Sequence, residues 1–217
     1  MKIKRIDDLH ADAGWRNFSF LRIETTDGIV GWSEYTEADG SRGLTHMIRG
    51  LSDLVVGQDP HRIQHIMSHL AARTIQAPGG VNQRAMAAIE NALLDIKGKA
   101  LGVPVWNLLG GMVRDRLPVY FSHCGTYRVR NHAALGVKQL RCYDDVARLG
   151  EEVRRLGFKA LKTNILQLDV EEPAVLMPGF GRSAGHPELN ATPGILEAVR
   201  RTLRAFRDGA GPEMGLH

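Results

Sequence analysis

Cysteine is scarce, with two thiols in 217 residues, Cys124 and Cys142. They are too few for a disulfide framework and lack the spacing of a metal site. Reduced thiols in a cytoplasm are the expectation. No long apolar run occurs, and "MKIKRIDDLHADAGW" has basic residues with no hydrophobic stretch behind them, so neither a signal peptide nor a membrane span is expected. Charge of one sign is not concentrated. The 28 basic residues exceed the 24 acidic ones for a net +4, yet they are spread along the chain. That argues against nucleic acid as a partner and weakly for small anions. No Walker motif, CxxC pair, HExxH or GxSxG is present, which removes sequence support for those classes of phosphate, zinc and serine chemistry. "GFGRSA", from Gly179 to Ala184, fits a dinucleotide fingerprint formally, but Pro178 precedes it and Gly185 and Pro187 follow, so no helix opens there to receive a pyrophosphate.

What is there suffices for real cores, since 43% of the residues are hydrophobic. Phe18 to Glu24 and Ile29 to Tyr35 read as strands joined at Asp27-Gly28, a hairpin signal. The period then becomes helical through Leu44, Met47, Ile48, Leu51, Leu54 and Val55. Asp59-Pro60 reads as a cap and first residue of a second helix, with Ile63, Ile66, Met67 and Leu70 inward. A third helix from Gln83 to Ala100 aligns Ala85, Ile89, Ala92 and Ile96 before "LGVPVWNLLGG" stops it. Strands followed by helices predict an α+β domain over residues 1–116.

From residue 117 to 217 strands and helices alternate. "LPVYFSHCG" reads as a strand, Tyr143 to Leu156 as a helix with Val146, Leu149, Val153 and Leu156 inward, and "FKALKTNI" as a second strand. A helix capped by Thr192-Pro193 follows, with Leu196, Val199, Leu203 and Phe206 inward, and "EMGLH" begins a third strand. This βαβαβ order predicts a parallel sheet, and it is short of the roughly 250 residues of a parallel barrel. The stretch from Leu166 to Ala191 reads as a long loop at the C-terminal ends of the strands, where a lid would sit.

In "GFKALKTNI", alternation places Phe158, Ala160, Lys162 and Asn164 on one face and Leu161, Thr163 and Ile165 on the other. A lysine at such a strand end must reach water or be paired, because an unpaired buried ammonium is costly.

Residues 85–111, "AMAAIENALLDIKGKALGVPVWNLLGG", form an alanine-rich amphipathic helix in which Glu90 and Asp95 can pair with Lys97 or Lys99. With Ala85, Glu90, Ala92, Asp95, Gly98, Lys99, Pro104, Leu108 and Gly110 in place, the segment resembles the end of the capping domain of the mandelate racemase/muconate lactonizing enzyme group of the enolase superfamily. "VVGQDP", "GGMVRDRLPVY" and "GFKALKTN" agree with that pattern in order and spacing.

The resemblance implies an α+β capping domain followed by the first part of a modified TIM barrel, incomplete here, with Mg²⁺ bound by carboxylates at the third, fourth and fifth strand ends. It also implies abstraction of a proton α to a carboxylate, a strategy the superfamily is known for. Family racemases carry Lys-x-Lys at the second strand end, whereas this chain has Lys162-Thr163-Asn164. That ending resembles the galactonate dehydratase-like subgroup, whose base lies on later strands. Lys162 is then the candidate catalytic and substrate-binding cation, and Asn164 a hydrogen-bond donor to substrate. Trp15 and Arg16, in the stretch matching the family's mobile cap loop, and His123, at the first strand end, are further substrate-binding candidates. Glu34 is a surface carboxylate. The metal carboxylates have no counterpart in this chain, which ends at His217, and that histidine is not expected to replace one. The expectation is a truncated Mg²⁺-dependent acid-sugar dehydratase, a hydro-lyase that acts on a small sugar acid and forms a homo-oligomer at full length. A racemase or epimerase of the same family and a catalytically inactive remnant are the alternatives.

Overall fold

The structure is a computed structural model that describes residues 1–177 and 191–217. The chain divides into two units, Met1–Asp115 and Arg116–His217.

In the first unit, strands β1 (Ile3–Asp12), β2 (Asn17–Thr25) and β3 (Val30–Tyr35) form an antiparallel sheet in that order. Strand β2 alternates strictly, burying Ser19, Leu21, Ile23 and Thr25 and turning Phe18, Phe20, Arg22 and Glu24 to the other face. Gly28 turns the β2–β3 hairpin with φ of 82°, a value that favours glycine. Strand β1 is not foretold by the sequence, because "KRIDD" shows no apolar alternation. Its outer face is joined to its neighbours by ion pairs instead, Lys4 to Glu24 at 2.9 Å and Asp7 to Arg22 at 2.9 Å. It also takes up His10 to Asp12, so the expected cap loop shrinks to residues 13–16.

Helices α1 (Leu44–Ser52), α2 (Ile63–Arg73) and α3 (Gly80–Leu101) build the core with the sheet, and the short α4 (Val105–Leu108) follows. Glu37 accepts the N–H groups of Gly43 (2.7 Å) and Thr45 (2.9 Å), which satisfies two of the orphan donors at the start of α1. Helix α2 begins at Ile63 rather than Pro60, since Asp59 accepts the His61 N–H (2.9 Å) in a separate turn ahead of it.

Helix α3 lies directly on β3, with Ala85, Ile89, Ala92 and Ile96 fully buried. Gly31 permits the approach: a Cβ there would stand 2.2 Å from the Ala92 carbonyl oxygen. Asp95 accepts the Trp32 N–H (2.8 Å) and pairs with Lys99 (2.7 Å), which donates to the Val30 carbonyl (2.8 Å). The helix thus satisfies the backbone of an edge strand. Asp95→Ala is expected to cost about 0.5–1.5 kcal/mol by removing the acceptor of the Trp32 N–H and one of the two partners of Lys99. Asp95→Asn, which keeps an acceptor, should cost less, and urea midpoints measure both.

The second unit contains α5 (Thr126–Arg130), α6 (Tyr143–Arg155), β4 (Ala160–Leu161), β5 (Ile165–Gln167), β6 (Ala174–Leu176), α7 (Pro193–Ala210) and β7 (Gly215–Leu216). Strands β4 and β7 pair in parallel, Leu161 opposite Leu216, and Phe121 makes a parallel bridge to Leu161. The expected strand "LPVYFSHCG" is therefore reduced to one bridge. Leu117, Val119 and Tyr120 before it are exposed and unpaired by any described strand.

Two further expectations are corrected. Leu196 and Leu203 of α7 do not face inward, being 56% and 37% exposed, and Leu156 after α6 is 60% exposed. The buried stripe of α7 is instead Ala198, Thr202, Ala205, Phe206, Gly209 and Ala210, and its Gly209–Ala210 end lies against the backbone of α6. The stretch from Leu166 onward is also not wholly loop. Strands β5 and β6 pair as an antiparallel hairpin with Leu166 and Val175 buried, and the Leu166 carbonyl accepts from Tyr143 Oη (2.8 Å) and Thr202 Oγ1 (3.1 Å). "GFGRSA" and the rest of the proposed lid lie outside the described residues.

Helix α6 starts on Asp145, whose carboxylate accepts the Arg141 N–H (3.0 Å), Arg148 (2.7 Å) and Lys138 (3.1 Å). Burial opposes its ionisation, but these hydrogen bonds outweigh burial and hold the carboxyl far below the usual carboxylate range. Because the folded value is depressed, its stabilisation is present above the unfolded pKa of roughly 3.9 and is lost as pH falls below it. The melting difference between wild type and Asp145→Asn should therefore be largest at neutral pH and shrink progressively below pH of about 4. No helix among the described residues is long and apolar enough to cross a membrane.

Candidate functional site

The parallel register brings three segment ends to one edge of the second unit. Phe121 receives the Lys162 N–H (2.9 Å), Cys124 donates to the Lys162 carbonyl (2.8 Å), and Thr163 donates to the His217 carbonyl (2.9 Å). His123, Lys162, Asn164 and His217 therefore stand at the C-terminal ends of adjacent parallel segments, the edge at which such folds place their chemistry.

Leu161 is fully buried and Lys162 is exposed, as strand alternation requires. The Lys162 side chain forms no hydrogen bond or ion pair with any described residue. An ammonium in that state is available to an anion. Thr163 points the other way and donates to the Cys124 carbonyl (2.8 Å), which ties the strand end to the preceding segment. Half-buried Asn164 donates Nδ2 to Thr126 Oγ1 (2.9 Å). His123 has φ of 51°, rare for a residue with a side chain, and its ring stacks on Tyr127 at 5.2 Å while Nδ1 meets Ser122 Oγ at 2.9 Å. Gly125 (φ 85°) then turns the chain into α5, and a Cβ on it would stand 2.8 Å from Leu166 Cδ1. A cavity of about 260 Å³ opens beside Asn164, with Thr163, Leu176, Thr202 and His217 among its walls.

The fold thus brings Lys162, Asn164 and His123 to one edge of the second unit. Trp15 and Arg16 belong to the first unit. There the Arg16 guanidinium lies 4.3 Å from the centre of the Phe18 ring and 3.9 Å from a Glu34 oxygen, and Trp15 meets Phe18 edge to face. Thr126, Ser122 and Tyr127 are not foretold by the sequence. The Thr126 contact is tertiary, Ser122 and Tyr127 meet His123 locally, and no motif marks any of them.

Another polar chain in the first unit has the composition of a hydrolytic triad. Ser19 Oγ meets His10 Nδ1 at 3.0 Å and His10 Nε2 meets Asp8 at 3.1 Å. Asp8 is held by Arg49 at 2.7 Å, and Ser19 is 4% exposed. A hydroxyl sealed beneath a sheet cannot reach a substrate, so the chain is structural.

Mg²⁺ requires several oxygen ligands in near-octahedral arrangement. No three His, Cys, Asp or Glu side chains converge as a metal site among the described residues, so the groups present do not by themselves fit that ion.

Comparison with known proteins shows a family likeness. Residues 12–110 match the N-terminal domain of mandelate racemase/muconate lactonizing enzyme. A protein from Burkholderia xenovorans strain LB400, provisionally named an L-alanine-DL-glutamate epimerase and solved with magnesium and fumarate, is 41% identical with a TM-score of 0.91. It is matched over 99% of this chain and 54% of its own. Residues 12–110 thus match the N-terminal domain of the mandelate racemase/muconate lactonizing enzyme group, and the solved relatives place the likeness within the enolase superfamily. The likeness is to a capping domain followed by an incomplete part of the barrel. The D-galactonate dehydratases of Xanthomonas axonopodis pv. citri and Pectobacterium atrosepticum are 43% and 44% identical over 120 residues, 55% of this chain and 31% of each enzyme. A member of the enolase superfamily from Salmonella Typhimurium is 26% identical with a TM-score of 0.79, matched over 99% of this chain and 53% of its own. The chain therefore spans about half the length of these solved relatives and less than a third of the curated ones.

Proposed function

We propose that this chain is the capping domain and first barrel part of an acid-sugar dehydratase. The observation that carries the reading is the strand end Lys162-Thr163-Asn164, with an exposed ammonium that no described residue neutralises and a neutral amide two positions on. The ammonium receives the substrate carboxylate. Asn164 cannot serve as the base, because an amide does not usefully accept a proton near neutral pH. In the reaction a base outside this pair removes the proton at C2, and the C3 hydroxyl leaves as water. The resulting enol becomes a 2-keto-3-deoxy acid.

Likeness to the D-galactonate dehydratases supports this substrate class, and the magnesium and fumarate of the Burkholderia relative support a Mg²⁺ requirement with a carboxylate ligand. The metal ligands of that proposal are carboxylates outside the described residues. Trp15, Arg16 and His123 are proposed to shape the pocket, and cytoplasmic location and a homo-oligomer belong to the same reading. Epimerisation is the second reading, favoured by the name of the Burkholderia relative, but it asks for a second base that Asn164 does not provide.

The test is turnover of a panel of hexonates and hexarates, D-galactonate included, by the protein expressed from its complete gene with Mg²⁺ present. Formation of a 2-keto-3-deoxy acid from at least one is expected, and a panel left entirely unchanged contradicts the reading.

A further inference from the structure

Asn164 sits where the sequence suggests a donor to substrate, yet its amide nitrogen is already engaged. Nδ2 donates to Thr126 Oγ1 at 2.9 Å, and Thr126 is only 2% exposed. Thr126 is itself held firmly. It follows Gly125 (φ 85°) as the first residue of α5, and its N–H donates to the His123 carbonyl at 3.0 Å. An amide's nitrogen and oxygen lie on opposite sides of its carbon. With the nitrogen turned toward Thr126, Oδ1 is turned away from it. That oxygen has no partner among the described residues and is not sealed from solvent.

We propose that Thr126 is a positioning residue that fixes the Asn164 amide so that its oxygen meets substrate as an acceptor for a sugar hydroxyl, while Lys162 takes the carboxylate. The inference rests on the sugar-acid reading above and divides the labour within it. A cation meets the charge common to all carboxylic acids, and a neutral acceptor meets the hydroxyl that distinguishes a sugar acid from a plain one. An acceptor turned toward the carboxylate would repel it, so Oδ1 and the substrate carboxylate must occupy different parts of the site.

The test measures binding of D-galactonate and of hexanoate, a carboxylic acid of the same chain length without hydroxyls, to the protein expressed from its complete gene with Mg²⁺ present. Thr126→Val, which keeps the shape and removes the hydroxyl, is expected to weaken galactonate about three- to tenfold and leave hexanoate unchanged, the range of one neutral hydrogen bond. Thr126→Ser should restore wild-type affinity for both. Asn164→Ala, which leaves every residue of α5 unchanged, should show the same selective loss and serves if the valine variant does not fold. Equal weakening of both acids would place Asn164 on the carboxylate and overturn the proposal, as would no change for either. A wild type that binds neither acid would defeat the sugar-acid reading, whereas galactonate bound equally by wild type and Asn164→Ala would defeat this inference alone.

Discussion

Lys162→Ala is expected to lower kcat/KM for sugar-acid dehydration by about 100-fold, which corresponds to roughly 2.7 kcal/mol of lost transition-state stabilisation. A charge-assisted contact to a carboxylate is worth about 1.5–3 kcal/mol, so the loss of one such contact suffices. Structure and function separate cleanly at this position. The Lys162 side chain is exposed and bonded to no described residue, so its removal should leave stability within about 0.5 kcal/mol of wild type. Its backbone N–H and carbonyl, which join Phe121 and Cys124, are untouched by the substitution. Lys162→Arg should recover part of the activity, since the charge remains but a planar fork replaces a compact ammonium. Steady-state kinetics with a parallel thermal melt decides the matter. Undiminished turnover in the alanine variant would remove Lys162 from the site, and a collapsed melting temperature would make it a structural residue.

Gly209→Val is expected to be the most damaging single change in the second unit. A Cβ at Gly209 would stand 1.8 Å from the Ala147 carbonyl oxygen, and one at Gly150 would stand 3.0 Å from the Ala210 nitrogen. Helices α6 and α7 therefore touch backbone to backbone, and any side chain at Gly209 must force them apart and open the core around Val146, Leu149 and Phe206. Overpacking of this kind costs about 3 kcal/mol or more, because a carbonyl cannot swing aside as a flexible side chain can. For the same reason Ala147→Gly should not rescue the variant. Gly194→Ala, in the same helix but at a position where a Cβ would meet nothing within 4 Å, should be neutral or stabilising by up to about 1 kcal/mol. Urea unfolding of the three variants tests the contrast, and equal midpoints for Gly209→Val and Gly194→Ala would refute the close-packed crossing.

These glycines also explain where the sequence can be read and where it cannot. Helix α3 is legible because Ala85, Ile89, Ala92 and Ile96 repeat at helical spacing and all four are buried. Helix α7 is legible as a helix, with Thr192 as its cap, but its leucines point to the wrong inward face. Leucines advertise burial in a sequence, whereas Gly209, where the helices meet too closely for any side chain, and the neighbouring small residues carry no such signal. Strand β1 is illegible for the opposite reason, since its outer residues are charged and are joined to their neighbours by ion pairs. At the site, Lys162 and Asn164 can be found because period-two alternation fixes which side of a strand end they occupy. Thr126 cannot. Its hydroxyl meets Asn164 across 38 positions of sequence, a contact that the fold creates and no local pattern foretells.

The most direct test of the account is to run the reaction in D₂O with the protein expressed from its complete gene and follow D-galactonate by NMR. Dehydration predicts a 2-keto-3-deoxy acid that carries one solvent deuterium at C3, delivered when the enol becomes the ketone. A C2-epimerised acid with deuterium at C2 and no keto product would contradict the reading of Lys162-Thr163-Asn164 as a dehydratase strand end.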